Sequence, residues 1–312
     1  VTATRPAPPE IVPPHASTPR PWTRRVLWAN LAAQIGIIVT GGAVRLTGSG
    51  LGCSTWPQCE PGRFTPEFHG EAAAHAFIEF GNRTLTGVLG IIALALAVLL
   101  WRQHDRPTWY RRLGLVPLAG VIVQAVIGGI TVLLSLHPAV VGLHMLVSLA
   151  LVAVSALLIA RDRRSDRADV TPLTLGLGRL LLAIGAVLMV LGIITTGAGP
   201  HGGDAEHAQR WELDPVLVAR SHAWAVWLFL AVLVACLWLL GRAGASGGVR
   251  RAWWALLAVT LAQGAIGYVQ YFTGLPEVVV GAHMLGTGVL TAALTWAYAE
   301  IHPWRSTTAT SS

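Results

Sequence analysis

Residues 124–146 read QAVIGGITVLLSLHPAVVGLHML, and residues 263–285 read QGAIGYVQYFTGLPEVVVGAHML. Gln124 and Gln263, Gly128 and Gly267, and His144 and His283 are each 139 residues apart. Chance does not hold one offset through two apolar runs and the loop between them, so the stretch marks an internal duplication. Each run is too long for a barrel strand of about ten alternating residues. Each is long enough for a bilayer-spanning helix, which needs about 20 apolar residues. The pattern predicts a membrane protein in which a helical unit occurs twice in the same orientation, a parallel repeat.

Eight runs of this kind occur, at roughly 26–44, 73–101, 113–134, 138–160, 175–197, 215–241, 252–273 and 276–301. The expected fold is an all-α integral membrane protein of eight transmembrane helices, arranged as two pseudo-symmetric four-helix bundles. Residues 26–160 form the first half and 175–301 the second. A linker, 161–174, joins them. The tail 1–25, rich in Pro, Thr and Arg, reads as disordered and lacks a cleavage-site pattern. Residues 302–312 form a second tail.

Composition agrees. Of 312 residues 54% are hydrophobic and 12% charged, half the roughly 25% of a soluble domain. With a mean hydropathy of +0.59, this excludes an ordinary soluble enzyme and a disordered chain. The formal charge of +7 comes from arginine alone, for there is no lysine. Nucleic-acid binding needs basic residues clustered on a soluble face; here they fall in short groups between apolar runs. Arg5, Arg20, Arg24 and Arg25, then Arg102, Arg106, Arg111 and Arg112, then Arg161, Arg163, Arg164 and Arg167, then Arg242, Arg250 and Arg251, and finally Arg305 all fall on one side. The positive-inside rule makes that side, and both termini, cytoplasmic. The opposite loops, 45–72, 135–137, 198–214 and 274–275, carry the acidic Glu60, Glu67, Glu71, Asp204, Glu206, Glu212 and Asp214.

Shifted by one residue, the offset carries position 82 onto His222. The duplication thus names four equivalent places on the second, fourth, sixth and eighth spans: Asn82, His144, His222 and His283. At 1.5 Å per residue each lies about 9–14 Å below the outer end of its helix. Paired histidines on facing helices of a bundle are a usual way to hold haem iron from both sides. Zinc would want a third ligand from Cys, Asp or Glu, and no acidic residue lies beside His222 and His283 within the spans. The second half therefore reads as a bis-histidine haem site.

The first half has Asn82 where a second ligand would be, and Glu79 one helical turn before it. Glu79 is either salt-bridged to Arg83 or Arg45, or a catalytic group beside a haem with an open iron position. His75 shares that face near the membrane surface. His69, His137, His201 and His207 read as loop residues, and His15, His104 and His302 as cytoplasmic. Arg45, Arg83 and Arg220, near the outer ends, either pair with haem propionates or snorkel to the interface. Cys53 and Cys59, in an external loop, are close enough to pair; a loop-stapling disulfide and a redox-active pair both stay open. Cys236 reads as a packing residue. The glycine-rich strings at 40–52 and 195–204 read as mirrored caps over a site, or as simple turns.

The strings GGAVRLTGSGLGCSTWPQC, IEFGNRTLTG, HPAVVGLHML, TGAGPHGGD and VVVGAHMLG resemble those of the haem A synthase family. The resemblance covers residues 26 to 301. It implies a plasma-membrane oxidoreductase that hydroxylates the C8 methyl group of haem O twice, water loss then giving the formyl group of haem A for cytochrome oxidase. It implies haem b ligated by His222 and His283, a catalytic Glu79, and a substrate iron bound by His144. The family's other first-half histidine falls on Asn82, and its loop cysteine pair on Cys53 and Cys59. Haem O synthase as substrate donor, cytochrome oxidase assembly as acceptor and a homo-oligomer belong to the same implication. Two other readings compete: a quinol-linked di-haem electron-transfer cytochrome, and a haem carrier.

Overall fold

The computed structural model describes residues 20–66, 73–162, 170–204 and 209–302. His15, His69, His207, Arg5, Arg163, Arg164, Arg167, Arg305, Glu67, Glu71 and Glu206 lie outside them. Among the described residues the chain is all-helical: α1 (Pro21–Leu46), α2 (Ala73–Trp101), α3 (Thr108–Leu113), α4 (Val116–Leu133), α5 (Pro138–Asp162), α6 (Pro172–Ala198), α7 (Pro215–Arg242), α8 (Gly247–Phe272) and α9 (Glu277–Ile301). The first helix begins inside the stretch expected as tail. The short α3 leads into α4, and counted as one span, Thr108–Leu133, they bring the helices long and apolar enough to cross a membrane to eight. This fits a multi-pass membrane protein.

Local chemistry sets the helix starts. Pro172 and Pro215 open α6 and α7, where a missing N–H costs nothing. Before them, Thr171 Oγ1 accepts from the Thr174 N–H at 3.2 Å, and Asp214 Oδ1 from the Val216 N–H at 2.8 Å. The outer turns of α4–α5 and α8–α9 have one geometry. Ser135 and Leu136 have φ of 47° and 58°, and Gly274 and Leu275 have φ of 78° and 61°. The Leu136 N–H donates to Thr131 O and the Leu275 N–H to Gln270 O, both at 2.8 Å. These are left-handed helix ends, the Schellman arrangement, and they recur at the 139-residue offset.

In the first four-span group α1 packs on α2 and α5, and α4 on those same two helices; α6 to α9 are arranged likewise. The groups meet through α5 and α1 against α9, and α5 against α6. Apolar packing is concentrated toward the ends of the helices on the side where α1 begins and α9 ends. Leu181, Phe229, Leu233, Trp253, Leu256 and Leu294 fill one group, and Leu27, Leu96, Leu100, Leu149, Val152 and Ile159 the other. Side chains such as Ile91, Trp224 and Phe272 project outward, as expected where lipid replaces water. Toward the outer ends, the interior is hollow.

The loops that follow α1 and α6 meet over the hollow. The Gly50 N–H donates to Gly203 O at 2.8 Å, and Ser49 pairs with Asp204 in a short bridge. Gly203 has φ of 103°, a conformation only glycine adopts without strain. A Cβ at Gly50 would come within 2.9 Å of the Gly203 carbonyl oxygen, so the two strings need glycine to approach this closely.

Candidate functional site

The hollow is a cavity of about 470 Å³ lined by both groups of helices, a size typical of a small-molecule or cofactor site. His144, His222, His283, Asn82 and Glu79 all line it, as do Arg45 and Arg83. The structure thus brings the repeat-related positions into one chamber. Arg220 is exposed and does not line it, and neither does His75, which is exposed with Nδ1 bonded to Ser49 Oγ at 2.9 Å.

Each histidine ring rests on a glycine of a neighbouring helix. A Cβ would stand 3.4 Å from His144 Cε1 at Gly128, 3.1 Å from His222 Cε1 at Gly192, and 3.4 Å from His283 Cε1 at Gly267. A Cβ at Gly192 would push the ring by a few tenths of an ångström, whereas at Gly128 and Gly267 it would just touch it. Gln124 Nε2 donates to the His144 carbonyl at 2.9 Å and to Ser148 Oγ, and Gln263 Nε2 to the His283 carbonyl at 3.0 Å and to Thr287 Oγ1 at 3.3 Å. These bonds fix the turn that bears each histidine. The rings themselves are not tied down. Nδ1 of His144 and of His283 is buried without a hydrogen-bond partner, and Nδ1 of His222 has only the Leu188 carbonyl nearby, outside hydrogen-bond geometry. A buried ring nitrogen without a protein partner is costly to leave unsatisfied, so these imidazoles are uncommitted and available to a ligand in the chamber.

Glu79 is buried, at 5% exposure. Its Oε1 accepts from Arg83 Nε at 3.1 Å and from Arg83 Nη2, and its Oε2 from the Cys53 N–H at 2.7 Å. Arg83 Nη1 donates onward to the carbonyls of Thr55 at 3.0 Å and Gln58 at 3.3 Å. The carboxylate is therefore ion-paired, as one of the two sequence readings had it. It also borders the cavity, as the other requires. The Cys53–Cys59 disulfide closes the same loop, and both cysteines are buried. From this loop Trp56 reaches into the chamber and lies against Gly129.

Asn82 does not stand free. The Thr40 hydroxyl donates to Asn82 Oδ1 at 2.7 Å. Arg45 crosses between the groups: Nε donates to the His201 carbonyl at 2.7 Å and Nη2 to the Thr196 carbonyl at 3.0 Å. Its guanidinium thus borders the chamber and also latches the second glycine-rich loop. His201 continues the latch through Nε2 to the Leu275 carbonyl at 2.9 Å.

Sequence reasoning passed over Gln34, Gln124 and Trp56 as lining residues. Glutamine inside an apolar helix was the available signal for the first two, since intramembrane polar groups are seldom idle. Nothing local marks Trp56, which reaches the chamber through a loop.

Comparison with known proteins bears on what this chamber holds. The family model for cytochrome oxidase assembly protein matches residues 24–214. A haem A synthase of Bacillus pumilus is 36% identical over 170 residues, 52% of this chain and 53% of that protein. One of Lysinibacillus sphaericus is 35% identical over 155 residues, 47% of this chain and 49% of the relative. One of Geobacillus kaustophilus is 27% identical over 278 residues, 82% and 84% of the two chains. The chain thus spans about half the length of the first two relatives in its match to them.

Proposed function

We propose that this chain, which belongs to the cytochrome oxidase assembly protein family, is a haem A synthase that oxidises the C8 methyl group of haem O to a formyl group. The observation that carries this reading is the placing of buried Glu79 in one chamber with three histidines, only two of which, His222 and His283, belong to the same half. A plain electron-transfer cytochrome accounts for His222 and His283 but has no use for a buried carboxylate beside an incomplete ligand set.

The residues divide by group. His222 and His283 hold a resident haem b, which supplies electron transfer when bound. Their place in the chamber lining and their glycine seats support that role. His144 binds the iron of the substrate, haem O. Asn82, an amide already engaged by Thr40, is a poor iron ligand, so His144 would be the one repeat-related ligand from this half. Arg45 and Arg83 face the propionates. Glu79 stands at the reacting edge. There a carboxylate stabilises positive charge developing at the methyl carbon, or accepts its proton. With an external two-electron oxidant consumed at each step, two hydroxylations would give a gem-diol, and loss of water the aldehyde. The Cys53–Cys59 loop, tied to Glu79 through the Cys53 N–H, closes the outer side and limits water.

In this reading residues 26–160 are the substrate half and 175–301 the haem b half. The protein sits in the plasma membrane with both termini cytoplasmic and the chamber toward the outside. Haem O synthase delivers the substrate and cytochrome oxidase assembly receives the product. Extraction of the bound haems followed by mass spectrometry tests it. Haem b together with haem O, its hydroxylated form or haem A is expected; haem b alone would leave an electron-transfer protein.

A further inference from the structure

Gln34 on α1 is 2% exposed, lines the chamber and makes no hydrogen bond among the described residues; its Nε2 is fully buried and unpartnered. Leaving a buried amide unsatisfied costs about 1–3 kcal/mol, and such a group inside a cavity points to a ligand atom that completes it. Gln34 is twelve residues from the outer end of α1, about 18 Å deep, at the inner edge of the chamber. Gln124 and Gln270 also leave an Oε1 unpartnered there. The Gln124 amide, however, is committed to fixing the His144 turn. Gln270 sits two residues from the end of α8, level with the charged outer rim.

The duplication sharpens the point. Aligning TGGA at 40–43 with TTGA at 195–198 places Met189 opposite Gln34. Met189 lines the same chamber. The inner edge is therefore polar in the first half and apolar in the second. The two ligands of the proposed function differ in the same sense. Haem b has only methyls, vinyls and two propionates at its rim. Haem O has in addition one neutral polar group, the secondary alcohol at the root of its isoprenoid side chain. The propionates belong with the arginines of the outer rim, so the group that reaches the inner edge is the alcohol.

Resting on that functional reading, we infer that Gln34 hydrogen-bonds the side-chain alcohol of haem O and so selects the isoprenoid-bearing haem over haem b in the first half. The amide offers both a donor and an acceptor, so it serves a hydroxyl whichever way the alcohol proton points.

The test uses the full chain carrying its resident haem b, titrated spectroscopically with a second equivalent of haem. In Gln34→Met, which installs the second half's own residue, haem O should bind about tenfold more weakly, the worth of one well-made hydrogen bond. Binding of added haem B should change less than about twofold. An unchanged resident b-type spectrum reports intact folding. A probe on the unaltered protein needs no variant: dehydrated haem O keeps the isoprenoid tail and lacks the alcohol, and should also bind about tenfold more weakly than haem O. Equal binding of haem O and its dehydrated form, or a parallel loss of haem O and haem B affinity in Gln34→Met, overturns the inference and leaves the synthase reading standing. Failure of the unaltered protein to take up any second haem overturns the synthase reading itself.

Discussion

Glu79→Gln keeps the side chain's shape and removes its charge. The carboxylate accepts from the Arg83 fork and from the Cys53 N–H. A glutamine retains one acceptor and turns an NH2 group toward a donor. Charge-assisted hydrogen bonds contribute about 1.5–3 kcal/mol each, and breaking a fully buried ion pair costs about 3–5 kcal/mol. Here the Arg83 side chain is 22% exposed and keeps its bonds to Thr55 and Gln58. The expected loss is therefore about 2 kcal/mol, at the low end of those ranges. It falls on the loop 47–66 rather than on the helices. The haem b spectrum at His222 and His283 should persist. The chemical loss should be larger, about 10²–10³ in rate for a charge aimed at the transition state. Haem O or its mono-hydroxylated form should accumulate, read by mass spectrometry of the extracted haems. Arg83→Lys is the control. It preserves the positive charge beside Glu79 but loses the fork that holds Thr55 and Gln58, so it loosens the same loop with the carboxylate in place. Because lysine keeps a cation for the propionate as well, it should still yield haem A, in lower amount and without a build-up of the mono-hydroxylated form. Wild-type haem A from Glu79→Gln, or the same product profile from both variants, would refute a catalytic carboxylate and leave Glu79 a structural anchor.

His222→Ala and His283→Ala should each abolish the tightly bound low-spin b-type spectrum while the protein still inserts; a bis-histidine spectrum surviving in either variant removes the assignment. Asn82→His should shift the first-half iron toward six-coordinate, low-spin character, and an unchanged spectrum would mean that position 82 does not face the iron. Denatured protein alkylated without reductant should leave Cys53 and Cys59 unmodified and tag Cys236, since the first two are paired and the third is free; full modification of all three would contradict the pairing.

The eight spans could be read directly because a bilayer demands long apolar runs, and the histidines because the repeat gives them a common register. The inward face of each helix was harder to read. Where lipid surrounds the protein, outward residues are as apolar as the core. Ile91 is 70% exposed and Leu96 fully buried on the same helix. The partner of Glu79 was narrowed to Arg83 or Arg45, and helical spacing favours the first, four residues on. The structure makes that pair. Arg45 instead reaches 151 residues along the chain to Thr196, a contact no local pattern encodes. Arg220 lies beside His222 in sequence yet is exposed away from the chamber. A neighbour one or two positions along a helix does not share its face.

Where the two halves agree and where they differ separates scaffold from chemistry. They share the outer left-handed turns, the glutamine that pins the histidine-bearing helix, and the glycine under the ring at Gly128 and Gly267. These features position an imidazole and say nothing of what it does. At the offset that carries Asn82 onto His222, Glu79 falls on Ala219 and Arg83 on Ala223, and the α1–α6 alignment sets Gln34 against Met189. Every one of these differences gives the first half a charged or polar group that the second lacks. The single exception is the second histidine, which the second half keeps. In the proposed reading, a site with two histidines, and with methionine where the first half has glutamine, is suited to hold a haem and leave it unchanged. A site with one histidine, an ion-paired carboxylate and an unbonded amide is suited to receive a haem with an alcohol, and to act on its edge. Both sets of residues line one chamber, so in the proposed reading the resident group and the reacting one would share it.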